Sequence, residues 1–174
     1  LFTDHFIINE KYKDLWDQII NINEDIVRAH PAQMVRTMSG MSGEKLKALK
    51  HPYPTIIDKI NKYGYDPKQL HHIVRMNDFI KKYVEDIKFK DALIPKDYMK
   101  KKLLDIKMGK ISLDKAEKMA KEINERTKEI KDDYIDSIKN EDGTDKINQE
   151  ILNKMEDIKV KIMKRYIELK IASV

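Results

Sequence analysis

The chain has no cysteine, which excludes disulfides, thiolate catalysis and cysteine-based zinc sites. No apolar run approaches the roughly 20 residues needed to span a bilayer. A signal-peptide pattern is absent too, so the expectation is a soluble, cytoplasmic protein without membrane contact. Glycine and proline number only 5 each in 174 residues, too few for a loop-rich or collagen-like chain. A strong charge of one sign is also missing. The excess is +5, from 35 Lys+Arg against 30 Asp+Glu, and the acids and bases alternate. That permits an anionic partner without the concentrated positive charge of a committed nucleic-acid binder.

What the chain has is lysine, glutamate, isoleucine and leucine in helical rhythm. The fold class expected is mainly all-α: a helical domain over residues 1–111, with a long antiparallel helical hairpin over 112–174 packed on it as one structural domain. Residues 1–9 are the exception. Their aromatic and β-branched side chains read as a short extended segment, a strand with no partner inside this chain. That segment and the opening Leu1-Phe2-Thr3, without an initiator methionine, raise the expectation that further chain precedes it.

The organising stretch runs from Gly64 to Met76. Asp66 followed by Pro67 is a strong helix start: the aspartate accepts free backbone N–H groups, and proline gives up an N–H that would be unpaired there. The helix runs to about Ile87, with Leu70, Ile73, Val74, Met76, Phe79, Ile80, Tyr83 and Val84 over more than half its circumference, so it is a core helix. Lys68, His71, His72 and Arg75 share the remaining face, because residues three and four apart are neighbours. That stripe reads either as a solvated basic face or as a site for a phosphate or polar nucleotide group.

Elsewhere, Asn9 caps a helix over 10–22, and Asn23 or Pro31 restarts one. Ser39-Gly40-Met41-Ser42-Gly43 lacks the Gly-Lys-Ser/Thr ending and the preceding strand of a phosphate loop. It reads as a helix break that divides 31–39 from 42–50, in a segment holding Arg36 and Lys45. Gly64 and Gly109 end the helices over 55–63 and 97–108. Lys107 and Lys110 flank the second stop, as cations favoured at a helix carboxyl end or as phosphate ligands. Two long helices follow, over 113–138 from a Ser112 cap and over 145–172, with the turn at 139–144. Thr127 interrupts the apolar stripe of the first.

The stretch Tyr65-Asp66-Pro67-Lys68-Gln69-Leu70-His71-His72-Ile73-Val74-Arg75 resembles the helical region of nucleotidyltransferases of the DNA polymerase β-like superfamily, the RNA-repair-associated group, with its Tyr-Asp-x-Lys-x-x-x-His-x-x-Arg pattern. The segment from Leu103 to Lys110 is similar to that group's Leu-x-x-Ile-Lys/Arg-x-Gly motif. The resemblance covers roughly residues 1–125 and implies the carboxyl-terminal helical half of such an enzyme. It implies that Lys68, Arg75 and Lys107 contact nucleotide or acceptor phosphates and that His72 orients a polar group. His71, Tyr65 and Arg36 are further candidates.

The superfamily's Gly-Ser turn followed by an Asp-x-Asp/Glu pair on a strand is not in this sequence. Those carboxylates hold two metal ions. The chain by itself is therefore expected to have no catalytic residue, no metal ligand and no activity. A nucleoside triphosphate and Mg²⁺ are expected only with a missing catalytic half, cleaved, on a companion chain or lost. RNA or nucleotide would be the substrate. The alternative is a non-catalytic helical interaction module, with partner or self-association through Met119, Leu152, Met163, Ile167 and Ile171. General nucleic-acid binding is a third reading.

Overall fold

The structure, a computed structural model, describes residues 7–172. Among them it is all-α, with no strand. Residues 1–6 of the expected extended segment lie outside the described residues; Ile7 and Ile8 have no regular structure, and Asn9 is extended. No described helix is long and apolar enough to cross a membrane. The helices are α1 (Lys13–Asn21), α2 (Asn23–Arg28), α3 (Pro31–Ala48), α4 (Ile57–Tyr63), α5 (Pro67–Val84), α6 (Phe89–Ala92), α7 (Asp97–Lys107), α8 (Leu113–Ile138) and α9 (Gln149–Ile171). They fall into two compact units. One takes the chain up to Pro31 and again from Lys146; the other is the continuous stretch Ala32–Asp145.

In the continuous unit α5 is central, packed against α6, α7 and α8. Its start is built as the sequence requires. The Asp66 side chain accepts from the Lys68 amide at 3.0 Å, and Pro67 takes the first helical position. The Asp66 amide donates to the Leu49 carbonyl at 2.8 Å, which fixes where α5 begins. Such a cap contributes about 1 kcal/mol. Burial contributes more: Leu70, Ile73 and Ile80 are fully buried, each worth about 1.5–3 kcal/mol. One end of α5 packs with Leu103, Ile106, Ala116, Ala120 and Ile123; the other packs with Ala32, Val35, Ala92 and Ile135. The helix stops at Val84, short of Ile87, where Asp86 takes a left-handed conformation.

The break expected at Ser39–Gly43 does not occur; α3 runs unbroken through it. Ala32, Val35, Ser39 and Ser42 are buried on one face, while a side chain at Gly40 or Gly43 would meet nothing within 4 Å. Each helical glycine costs about 1 kcal/mol relative to alanine, and burial of Val35 with its small neighbours offsets that. Propensity gives way to packing.

Each of the two long helices packs within its own unit. α8 lies along α5, and α9 lies against α1 and α2 in the other unit. Thr127 is buried in the α5–α8 contact rather than breaking it. Its hydroxyl donates to the Ile123 carbonyl at 2.8 Å and accepts from Asn77 at 3.0 Å. α9 starts later than residue 145, because Asn148 caps it by accepting from the Ile151 amide. In the discontinuous unit Arg165 of α9 makes a bidentate ion pair with Asp14 of α1 and donates to the Lys11 carbonyl at 2.7 Å. The Asn148 amide donates to the Ala29 carbonyl at 2.8 Å.

Candidate functional site

Two helix stops and one helix start meet in the continuous unit. α4 ends on Gly64 at φ 78° and α7 runs out into Gly109 at φ 68°, both left-handed positions that favour glycine. A Cβ on Gly109 would lie 2.3 Å from the Tyr63 ring, so the bare backbone there is what lets that ring sit against it. The close approach brings the carboxyl end of α7 beside the last turn of α4, and Asp66 starts α5 two residues after Gly64. The result is a cavity of about 590 Å³ lined by Lys59, Lys62, Tyr63, Lys68, His71, His72 and Lys107, with Asp58, Asp66 and Pro67.

Four of the residues singled out from sequence, Lys68, His71, His72 and Lys107, therefore line one cavity. Lys68 and Lys107 are exposed, and among the described residues neither has a carboxylate within ion-pair distance. Arg75 lies on the adjoining cavity of about 280 Å³, which His71 and His72 also line, and its guanidinium donates to the Leu93 carbonyl at 2.7 Å. Tyr65 is elsewhere. It is fully buried in the core, its hydroxyl donates to the Ile111 carbonyl at 2.9 Å, and burial pushes its phenol pKa up. Arg36 is held in a bidentate ion pair with Asp145 and lines neither cavity.

The two imidazoles stand edge to face, their centroids 6.0 Å apart. Burial pulls both pKa values below the ordinary 6.5. His72, Arg75 and Lys107 push His71 further down, while Lys45, Lys68 and Arg75 act on His72 against a smaller opposite pull from Asp66. Both shifts favour the neutral ring. Each ring then offers one donor and one acceptor, and an arriving anion favours taking up a proton.

The carboxylates here do not fit a metal pair. Asp66 is 1% exposed; one oxygen accepts from the Lys68 amide and the other from Gln69 at 2.9 Å. Among the described residues no group of three or more His, Asp or Glu side chains gathers as metal ligands. The arrangement can bind and orient an anion.

Sequence reasoning missed Lys59, Lys62 and Tyr63 as part of this site. Both glycine stops were legible, but the contact of Tyr63 with Gly109, which brings their helices together, has no local signature. Comparison with protein-family models, with curated proteins and with solved structures returned no match.

Proposed function

We propose that the continuous unit binds the phosphates of a nucleotide, as the carboxyl-terminal helical part of a nucleotidyltransferase whose metal-binding carboxylates come from other residues than these. The observation that carries this reading is the convergence of Lys68, His71, His72 and Lys107 on one cavity at the amino end of α5. Lys68 and Lys107 supply charge to phosphate oxygens, and the amino end of an 18-residue helix adds a favourable dipole. The neutral histidines donate to a phosphate or base edge. Arg75, already bonded to Leu93, extends the positive field. The chain alone transfers no nucleotide.

The test is calorimetric titration of the chain with ATP, GTP, CTP, UTP and tripolyphosphate. At least one should bind, and Lys68→Ala/Lys107→Ala should weaken it about tenfold, the equivalent of roughly 1.4 kcal/mol. Equal affinity in the double variant, or no binding by any of the five, sinks the reading.

One observation favours a second reading, the interaction module. Met163, Tyr166, Ile167 and Ile171 of α9 are each more than half exposed, and the first three line an apolar groove with Ile8, Tyr12, Leu15, Trp16 and Ile162. Sedimentation velocity separates the readings: self-association abolished by Ile167→Ser, with no nucleotide binding, would favour the module.

A further inference from the structure

α5, α7 and α8 also enclose a further cavity of about 460 Å³, which shares no lining residue with the histidine and lysine cavity at the amino end of α5. Five cations line it: Lys81 from α5, Lys102 from α7, and Lys115, Lys118 and Arg126 from α8. Only two carboxylates accompany them, and neither neutralises the set. Asp78 is bonded to the buried Lys82 at 2.7 Å, and Glu122 is 4.0 Å from Lys118. Among the described residues, Lys81, Lys102, Lys115 and Arg126 have no carboxylate within ion-pair distance. Elsewhere on this surface lysines commonly pair with acids three or four residues away, as Lys128 does with Glu125 and Lys154 with Glu150. A cluster left unpaired in so acid-rich a chain marks a place for an external anion.

The floor is apolar, made by Val74, Met99, Met119 and Ile123, and Tyr98 stands on the rim 75% exposed. Lys115, Lys118, Glu122 and Arg126 form one stripe along α8. At about 1.5 Å per residue the row from Lys115 to Arg126 is about 16 Å long. A row of that length suits an anion whose charges repeat, and apolar surface with an exposed aromatic ring suits stacked bases. The cavity is too small for a duplex. We propose that this groove binds a single-stranded nucleic acid, its phosphates on Lys81, Lys102, Lys115 and Arg126 and a base against Tyr98. The groove is separate from the nucleotide cavity, and the proposal stands whether or not that cavity takes a nucleotide.

The probe is a fluorescein-labelled oligouridylate of about twelve nucleotides, followed by anisotropy with the full chain at several salt concentrations. Saturable binding is expected, falling steeply with salt. Lys102→Ala/Lys115→Ala/Arg126→Ala should weaken it tenfold or more and reduce the salt slope by about 2, at roughly 0.7 per phosphate contact. Tyr98→Ala should weaken it about fivefold or more while leaving the salt slope unchanged. A charge-matched control on α9, Lys161→Ala/Lys164→Ala/Lys170→Ala, should stay within twofold. All the side chains removed are exposed or rim the groove, so circular dichroism should be unchanged. Anisotropy flat up to about 100 µM protein at about 50 mM salt overturns the proposal. So does equal loss in groove and control variants, or full displacement by UMP, which would mean a single-nucleotide site.

Discussion

α5 and α9 are both long and rich in apolar residues, yet they have opposite fates. Of the 18 residues of α5, nine are buried; of the 23 of α9, only Ile151 and Ile158 are. The difference lies in their neighbours. α5 has helices on several sides and drives its apolar arc into two clusters. α9 meets α1 and α2 along one side and leaves Val160, Met163, Tyr166, Ile167 and Ile171 at the surface. Apolar content states what a helix could bury, and only the partners decide what it does bury. The buried helix also carries the candidate chemistry: a rigid core element presents Lys68, His71, His72 and Arg75 on the face its packing leaves open.

Three experiments press on this contrast. The largest effect is expected at the centre of α5. Ile80→Ala should cost about 2–5 kcal/mol in urea unfolding, as for a fully buried aliphatic side chain. A loss below about 1 kcal/mol would mean that α5 is no more central than α9.

The next effect is a pH dependence confined to the α5 face. His71 and His72 titrate below 6.5 in the folded protein, so the unfolded chain binds more protons as pH falls through that value. Stability contributed by their neutral forms is therefore present above about pH 6.5 and is lost as pH drops below it. Tripolyphosphate affinity should move the other way, tightening several-fold between about pH 7.5 and about 5.5 as the imidazoles gain charge. His71→Gln/His72→Gln should flatten that rise in calorimetry. The lowered carboxylates, among them Asp14, Asp97 and Glu150, act in a different window, below their ordinary values near 4. An affinity independent of pH would detach the histidines from the site.

The smallest effect belongs to α9. Ile167→Ser, at a position 53% exposed, should shift the unfolding free energy by no more than about 0.5 kcal/mol. A loss comparable to that of Ile80→Ala would show that α9 is covered in solution and end the contrast.

The sequence made local events legible and distant ones opaque. The Asp66-Pro67 start, the bounds of α8 and the stops at Gly64 and Gly109 depend on residues a few positions apart, and all are as read. The unbroken α3 was hidden because its two glycines fall on the open side, a fact of packing. Tyr65 sits in the motif beside Asp66, but a motif does not say which way a ring points, and this one points into the core. The packing of α8 along α5 was hidden for the same reason. Helical periodicity marks an apolar stripe and leaves its partner unnamed.

The discontinuous unit imposes an order in time. The chain emerges from the ribosome at roughly 5–20 residues per second. All of Ala32–Asp145 is out before any of α9 is, so the central unit can close its contacts while synthesis continues. α1 and α2 must wait. Asp14 and Arg165 are 151 residues apart in sequence, and no shorter path brings α9 to them. During that interval the apolar side of α1, with Leu15 and Trp16, stands without its helix partner. That side is then open to a chaperone, and there a stalled or truncated chain would stick to its neighbours.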